Sequence, residues 1–184
     1  EILDIVVVDS PSLNAFAAPG GVVGVNLGLF LQANDVHEFS SVIAHELAHL
    51  SQRHFARRVE ERRSGSLTTM ASMIAGLLIG AAGGTDAALA TISLAQAASQ
   101  GNQLRYSRER EIEADRIGLA TMVNAGLDPN GASRMFERMQ RAYRFTRRPP
   151  EFLLTHPLSE TRIADAKNQA RSYPTREPQE SIAF

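Results

Sequence analysis

The chain has 184 residues, with 19 basic and 20 acidic side chains, five histidines and no cysteine. This length suits one domain with a hydrophobic core, and the absence of cysteine excludes thiolate metal ligands, thiol catalysis and disulfides. The formal net charge of −1 gives no reason to propose nucleic acid or an anionic membrane as a partner.

Three short apolar segments near the amino terminus predict a small β-sheet. Residues 4–9 are rich in β-branched side chains and predict a buried strand, and residues 14–18 and 22–27 predict two further strands. The last two strands are separated by Pro19-Gly20-Gly21, which is a turn signal.

The next segment is predicted to be a long helix. Asn34 or Asp35 can cap its start, with Glu38 in capping-box position. Apolar residues then recur with a helical period, and the polar run that follows is predicted to continue the helix as far as Ser64-Gly65.

This helix carries the most informative motif of the chain, His45-Glu46-Leu47-Ala48-His49. Residues four apart lie on one helical face, so His45 and His49 can together bind one Zn²⁺. Glu46 is rotated by about 100° and can take a proton from a water molecule. The motif therefore predicts a zinc peptidase centre with Glu46 as general base.

A zinc enzyme of this type needs a third protein ligand and an open fourth position. His54 lies nine residues after His45, on the opposite side of the helix, so it cannot join the site unless the helix breaks, and we expect a solvated or capping residue. Glu111 and Asp115 share a face of a later predicted helix. We expect Glu111 to be the ligand and Asp115 to orient a ligating imidazole; a solvated charged helix is the ordinary alternative.

The apolar run at residues 67–82, which glycines interrupt and which extends to residue 84, is open to two interpretations. It is shorter than the roughly 20 residues that cross a membrane, so we expect a buried helical segment or one that covers the site. Contact with a membrane remains the alternative. Further helices are predicted at residues 87–98, after an Asp128 N-cap and after a Ser159 N-cap.

Five motifs together resemble one protein family. They are His45-Glu46-x-x-His49, Glu111-Ile112-Glu113-Ala114-Asp115, His156-Pro157 followed by Arg162, Asn14-Ala15-Phe16-Ala17, and Gly24-Val25-Asn26. In this order and spacing they resemble the gluzincin metallopeptidases, the family that includes the CAAX prenyl proteases and HtpX, and most of all its soluble, BepA-like periplasmic members. The resemblance implies a zincin-like α+β fold, mainly helical with a small sheet beside the motif helix, and one zinc ion per chain.

The resemblance also implies roles for three other parts of the site. Neutral His156 is expected to occupy the fourth position of the zinc in a self-inhibited resting state. When displaced, His156 and Arg162 are expected to stabilise the oxyanion on the scissile carbonyl. Gly24, Val25 and Asn26 are expected to form an edge strand that holds the substrate through backbone hydrogen bonds, with an ordinary core strand as the alternative.

The function implied is a zinc endopeptidase that acts on misfolded or stalled envelope polypeptides in the periplasm. The alternatives are a protein-binding chaperone or assembly module with a closed zinc site, and an HtpX-like membrane-bound peptidase. Residues 1–172 are predicted to be the peptidase domain, and 173–184 a linker towards a tetratricopeptide-repeat domain that would engage the outer-membrane assembly machinery. The start at Glu1 is not signal-like, so we expect the targeting segment to lie outside this chain.

Overall fold

The computed structural model describes residues 4–83, 85–145 and 149–173. Within these residues the chain forms three strands and seven helices. The strands are β1 (Asp4–Val8), β2 (Ala15–Ala18) and β3 (Val22–Asn26). The helices are α1 (Leu27–Gln32), α2 (Val36–Ser51), α3 (His54–Gly83), α4 (Thr85–Asn124), α5 (Asn130–Tyr143), α6 (Glu151–Thr155) and α7 (Glu160–Arg171). The predicted α+β class, mainly helical with a small sheet, is confirmed.

The chain divides into two compact units. Unit 1 contains the residues up to Gln52 and those from Glu111 onward, and therefore holds the sheet, α2 and α5 to α7. Unit 2 is Arg53–Arg110 and holds α3 and the first part of α4. The linker predicted at 173–184 stays a prediction, because residues 174–184 lie outside the described residues. The single domain predicted for residues 1–172 stays a prediction as well.

The sheet has the strand order β1-β3-β2, with β1 parallel and β2 antiparallel to β3. The prediction that Gly24, Val25 and Asn26 form an edge strand is therefore wrong, because β3 has a neighbour on each side. Gly24 pairs with Phe16 of β2, and a Cβ atom at Gly24 would lie 2.2 Å from the Phe16 ring. The glycine thus makes room for an aromatic ring across the strands rather than for a substrate.

The first strand also differs from its prediction. Ile5 and Val7 are 60% and 56% exposed, so β1 is an exposed strand and not a buried one. In the described sheet it pairs with β3 alone. A run of β-branched residues indicates a strand, but it does not show that both faces of the strand are buried.

The core of unit 1 lies between the sheet, α2 and α5. Its buried residues are Leu13, Ala15, Val23, Val25, Leu29, Val42, Met135, Met139 and Phe152. A second buried cluster joins α4, α5 and α7 and consists of Leu119, Ala132, Phe136, Ile163, Ala166 and Ala170. Each fully buried large apolar side chain contributes about 1.5–3 kcal/mol, so these clusters hold α2 and the last part of α4 in one framework.

Helix α2 begins with the predicted cap. The Asp35 carboxylate accepts a hydrogen bond from the Glu38 N–H at 2.7 Å, and the Glu38 carboxylate accepts one from the Asn34 N–H at 2.9 Å. Glu38 is buried and also accepts a hydrogen bond from Arg138 of α5 at 2.9 Å. The cap therefore fixes the start of the helix and ties it to α5.

The end of α2 was predicted wrongly. The helix ends at Ser51, the chain turns at Gln52 and Arg53, and Ser64-Gly65 lies inside α3. Arg53 has a φ of 53°, a left-handed conformation that ends a helix and that glycine usually supplies. Because an arginine occupies this position, the sequence carried no stop signal there.

The helices predicted after Asp128 and Ser159 are present, whereas the one predicted at residues 87–98 is part of the longer α4. The Ser159 side chain caps α7 by accepting a hydrogen bond from the Arg162 N–H. Asp128 accepts a hydrogen bond from the Asn130 N–H, although Pro129 occupies the N-cap position of α5 itself, a shift of one residue. The apolar run from residue 67 lies within α3, and Leu67, Met70, Ile74 and Leu78 are exposed, so the expectation of a buried segment is wrong. Among the described residues, no helix is both long and apolar enough to cross a membrane.

Candidate metal centre

Helix α2 brings its two histidines together as the spacing predicted. The Nε2 atoms of His45 and His49 are 3.0 Å apart, and both side chains are buried. The helix is continuous from Val36 to Ser51, so the two imidazoles leave it one turn apart on the same face. This pair is one side of the candidate metal site.

Helix α4 brings Glu111 to the pair. Glu111 Oε2 lies 3.4 Å from His45 Nε2, and Glu111 Oε1 lies 3.5 Å from His49 Nε2. The approach depends on small residues: Ala114 is fully buried, and a Cβ atom at Gly118 would lie 3.2 Å from the Ala44 carbonyl of α2. Ala114 and Gly118 therefore allow α4 to pack closely against α2.

His156 completes the cluster from the end of α6. Its Nδ1 atom lies 3.3 Å from His45 Nε2 and 3.0 Å from Glu111 Oε2. The ring stacks at a tilt against Phe152, with centroids 4.8 Å apart, and Phe152 is itself buried in the core. The structure thus fixes the histidine from behind and directs Nδ1 at the other donors.

The spacing of the four donors fits a tetrahedral zinc ion. Donors bonded at about 2.0–2.1 Å to a central Zn²⁺ lie roughly 3.3–3.4 Å from one another. In this cluster five donor pairs lie 3.0–3.5 Å apart, and the four ligand atoms all lie within 4.8 Å of one another. Among the described residues, the buried donors that come together in this way are His45, His49, Glu111 and His156. Their nitrogen and oxygen atoms are the ligands that zinc takes where no thiolate exists.

A second layer supports the donors. Asp115 Oδ1 lies 2.9 Å from His45 Nδ1, on the side of the ring that faces away from the cluster. Arg162 donates from Nε and Nη2 to both oxygens of Asp115, at 2.7 and 2.8 Å, and from Nη1 to the Pro157 carbonyl at 2.8 Å. Arg162 Nη1 also lies 3.1 Å from Glu111 Oε2. The guanidinium is therefore engaged with the carboxylates behind the cluster, and not directed at an open substrate position.

Glu46 lies beside the cluster. Its Oε2 atom accepts a hydrogen bond from the Ala17 N–H of β2 at 2.9 Å, and its Oε1 atom lies 3.3 Å from His156 Nε2. Glu46 as a whole is 1% exposed. Burial raises the pKa of Glu46, against the opposing charges of His156 and His45, so this carboxyl takes up a proton more readily than one in water.

The charges of the cluster favour a cation at its centre. Burial disfavours charge on His45, yet its contacts with Asp115 and Glu111 outweigh burial and raise its pKa to about 9. Burial likewise opposes the charge on Glu111, but hydrogen bonds with His156 and His45 hold its pKa well below the usual range. Two buried carboxylates thus stabilise positive charge where a divalent metal ion would supply it.

Four residues in or near the motifs lie outside the cluster. His54 begins α3 and is 1% exposed, so the expectation of a solvated residue is wrong. Glu109 is paired with Arg105 at 2.9 Å on the surface of α4. The Asn26 side chain donates to Ser12, and Gly24 faces Phe16, so β3 brings neither of them to the cluster.

Two contacts of the site were not predicted from the sequence. The Ala17 N–H that holds Glu46 is a backbone group, and only the Asn14-Ala15-Phe16-Ala17 motif marked its segment. Phe152 gives no sequence signal beyond an apolar residue four positions before His156. Its role becomes visible only when the ring contact between them is seen.

Known proteins of one family are similar to this chain over most of its length. The sequence pattern of the family described as Peptidase family M48 matches residues 3–170. A protein of Vibrio cholerae named putative beta-barrel assembly-enhancing protease is 45% identical over 163 residues, which cover 89% of this chain and 34% of that protein. The beta-barrel assembly-enhancing protease of Escherichia coli K12 is 34% identical over 163 residues, covering 89% of this chain and 33% of its own length.

A more distant relative comes from a eukaryote. The mitochondrial metalloendopeptidase OMA1 of Schizosaccharomyces pombe is 34% identical over 157 residues, which cover 85% of this chain and 43% of that protein. The chain spans about a third of the length of the bacterial relatives that it matches.

Proposed function

Since this chain belongs to peptidase family M48, we propose that it is a zinc-dependent endopeptidase acting on misfolded or stalled polypeptides. The observation that carries the proposal is the buried cluster of His45, His49, Glu111 and His156, whose ligand atoms all lie within 4.8 Å of one another and are of the types that zinc binds. The proposal is tested by measuring zinc content and casein degradation for the purified chain, after chelation, and after Zn²⁺ is restored. Activity that survives complete removal of metal would refute it.

In this proposal His45, His49 and Glu111 hold the ion. When bound there, zinc supplies Lewis-acid chemistry, since it polarises a carbonyl group and lowers the pKa of water. Asp115 Oδ1 lies 2.9 Å from His45 Nδ1, and a proton on Nδ1 facing this carboxylate leaves Nε2 free to act as a ligand. Arg162 holds Asp115 in place through its two hydrogen bonds and serves as a positioning residue.

Glu46 is the general base and acid. Its Oε2 atom is occupied by the Ala17 N–H, which leaves Oε1 to accept the proton of the attacking water. The same carboxyl then delivers the proton to the nitrogen of the scissile bond as the C–N bond breaks. One water is thereby added across one peptide bond, and the raised pKa of Glu46 suits a group that must both take and give a proton.

The substrate strand predicted at β3 is better assigned to β2. In the described sheet β2 pairs with β3 alone, and its Ala17 N–H points to Glu46. An extended polypeptide beside β2 would therefore pass next to the general base. Backbone pairing of this kind depends little on the sequence of the substrate. It therefore suits polypeptides that are recognised because they are unfolded.

His156 gives the site a closed resting form. Its Nδ1 atom lies 3.3 Å from His45 Nε2 and 3.0 Å from Glu111 Oε2, which is about the spacing of two ligands of one zinc ion. In the proposed resting form, His156 therefore fills the fourth position that catalytic zinc sites leave open. This observation also favours the second candidate function, a protein-binding chaperone or assembly module whose closed zinc site is structural. The two functions differ in what happens when His156 is removed.

The His156→Ala variant is expected to degrade unfolded casein several-fold faster than the wild type. Removal of the imidazole vacates the fourth position, which gives water and a substrate carbonyl access to the metal. Initial rates at equal zinc occupancy measure the effect. Leu154→Ala, which truncates an exposed residue on the same short helix, is the matched control and should leave the rate unchanged.

Two other results for His156→Ala are informative. A fall of roughly 10²–10³-fold would mean that His156 mainly stabilises the oxyanion, as the alternative role requires. No proteolysis in either the wild type or the variant, with zinc fully bound in both, would favour the chaperone function over the peptidase.

The Asp115→Asn variant is expected to bind zinc about 10–100-fold more weakly than the wild type. The amide keeps the size of the side chain but lacks the negative charge that attracts the His45 Nδ1–H group and the Arg162 guanidinium. Competition with a chromogenic chelator measures the affinity. Asp165→Asn, on α7 and outside the cluster, should bind zinc as the wild type does. If Arg162 acts through Asp115, adding Arg162→Gln to Asp115→Asn should cause little further loss.

The cellular role extends beyond this chain. Two bacterial relatives are named for the enhancement of β-barrel assembly, and we assign to this protein a periplasmic location and envelope polypeptides as substrates on that basis. Contact with the outer-membrane assembly machinery would need a region outside the chain, such as the predicted tetratricopeptide-repeat domain. A pull-down that compares this chain with the full-length protein tests that assignment.

A further inference from the structure

The charges of the chain are unevenly divided between its two units. Unit 2 contains eight arginines and four acidic residues, a net charge of +4, whereas the rest of the chain contains eleven basic and sixteen acidic residues, a net charge of −5. The near-zero total therefore conceals a basic segment. Within unit 2, Asp86 is the only charged residue between positions 64 and 104.

Helix α3 carries an exposed apolar stripe along most of its length. The stripe consists of Phe55, Val59, Leu67, Met70, Ile74 and Leu78, which are between 50% and 68% exposed. The steps of three, four and eight residues place all six on one side of the helix. The stripe extends over 23 residue steps, or about 35 Å at 1.5 Å per residue, which is longer than scattered surface residues would give.

The two helices of unit 2 run antiparallel to each other. Glu61 pairs with Arg110, and Gly65 lies opposite Ser99. Arg62 and Arg63 of α3 are therefore at the same end of the hairpin as Arg105 and Arg108 of α4. Leu89, Leu94 and Leu104 of α4 are also exposed, each by more than 60%. The hairpin thus has a nearly uncharged apolar part and a cluster of arginines at one end of it.

We propose that unit 2 docks on the surface of an anionic phospholipid bilayer. The stripe would enter the boundary between headgroups and acyl chains, and the arginines would pair with lipid phosphates. Helices that lie in the plane of a membrane surface combine basic residues with an exposed apolar face in this way. Membrane docking would bring the peptidase to the surface where envelope proteins are inserted.

The position of Arg63 favours lipid over a second copy of the chain. Arg63 falls at the fourth residue between Val59 and Leu67 and is exposed, so it interrupts the stripe. A second copy that covered the stripe would bury this charge against apolar side chains, which is costly without a paired carboxylate. At a bilayer the long side chain can extend to the phosphates while its methylene groups stay in the apolar layer.

A single tryptophan reports the docking directly, because the chain contains none. The Ile74→Trp variant of the whole chain is titrated with vesicles of phosphatidylglycerol and phosphatidylethanolamine at a 1:3 ratio, and separately with phosphatidylcholine vesicles. We expect a blue shift of the emission with the anionic vesicles and little change with phosphatidylcholine. Leu31→Trp, at an exposed leucine of unit 1, is the control and should show no shift with either vesicle.

Flotation with the same anionic vesicles measures the contribution of each group. Ile74→Asp combined with Leu78→Asp should abolish flotation, whereas Leu31→Asp should not. Arg62→Gln combined with Arg63→Gln should weaken binding about five-fold for each arginine removed, and added salt should weaken the wild type in the same direction. Circular dichroism and zinc content establish that each variant is folded.

Three outcomes would overturn the proposal. The first is the absence of flotation and of a blue shift with anionic vesicles. The second is equal binding by the wild type and the folded Ile74→Asp, Leu78→Asp variant, since another surface would then be responsible. The third is a dimer in solution that the same substitutions dissociate, without lipid binding, which would assign the stripe to a second copy. Because casein degradation in solution needs no lipid, these outcomes leave the proposed peptidase function unaffected.

Discussion

The Glu46→Gln variant is expected to keep its zinc and to hydrolyse peptide bonds about 10²–10⁴-fold more slowly than the wild type. Glutamine preserves the size of the side chain, and its amide oxygen can still accept the hydrogen bond from the Ala17 N–H. It cannot take a proton from water, because a neutral amide is not a base in this pH range. The loss should appear in kcat with little change in KM, since a step of the reaction is removed and not a substrate contact.

The matched control for Glu46→Gln is Glu60→Gln, the same change at an exposed carboxylate of α3. Both variants should contain the same amount of zinc by mass spectrometry. Near-normal turnover by Glu46→Gln at full zinc occupancy would show that another group acts as the base, and the role assigned to Oε1 would be abandoned. A variant that lost its zinc would instead place Glu46 among the ligands.

The parts of the site that were predictable from the sequence are those that local geometry determines. The position of His45 and His49 on one face follows from helical periodicity, and the cap at Asp35 follows from side-chain chemistry. The family, inferred from motif order, is confirmed by the match over residues 3–170. The meeting of Glu111 with the two histidines follows from small residues at Ala114 and Gly118, which allow the helices to approach.

The parts that were not predictable depend on tertiary contacts or on an unusual conformation. Helix α2 ends because the backbone of Arg53 adopts a left-handed conformation, for which the sequence offers no signal. The order of the strands, in which β3 lies between β1 and β2, depends on which segments pair and not on the sequence of any one strand. Arg162 has the spacing of a residue that contacts substrate, but its guanidinium is engaged with Asp115. Spacing gives the position of a residue along a helix and not the partner of its side chain.

The Glu111→Ala variant is expected to lose most of its bound zinc. Glu111 is the carboxylate that contacts all three histidines of the cluster. Without it, only neutral imidazoles remain to bind the ion, and the site has lost its anionic ligand. We expect a loss of affinity greater than the 10–100-fold that removal of a supporting residue causes. Metal analysis after dialysis against a weak chelator measures the remaining zinc.

The same substitution also has a thermodynamic readout. A ligand present at about a thousand times its Kd stabilises the folded protein by about 4 kcal/mol, so zinc should raise the melting temperature of the wild type and not that of Glu111→Ala. Glu109→Ala, which removes an exposed carboxylate of the same helix, and His54→Ala should both retain one zinc ion per chain. If zinc stayed at full occupancy in Glu111→Ala, the third ligand would be another residue. Glu113, the remaining carboxylate of that segment, would then be the next to test, because a helix that turned by half a revolution would present it to the histidines.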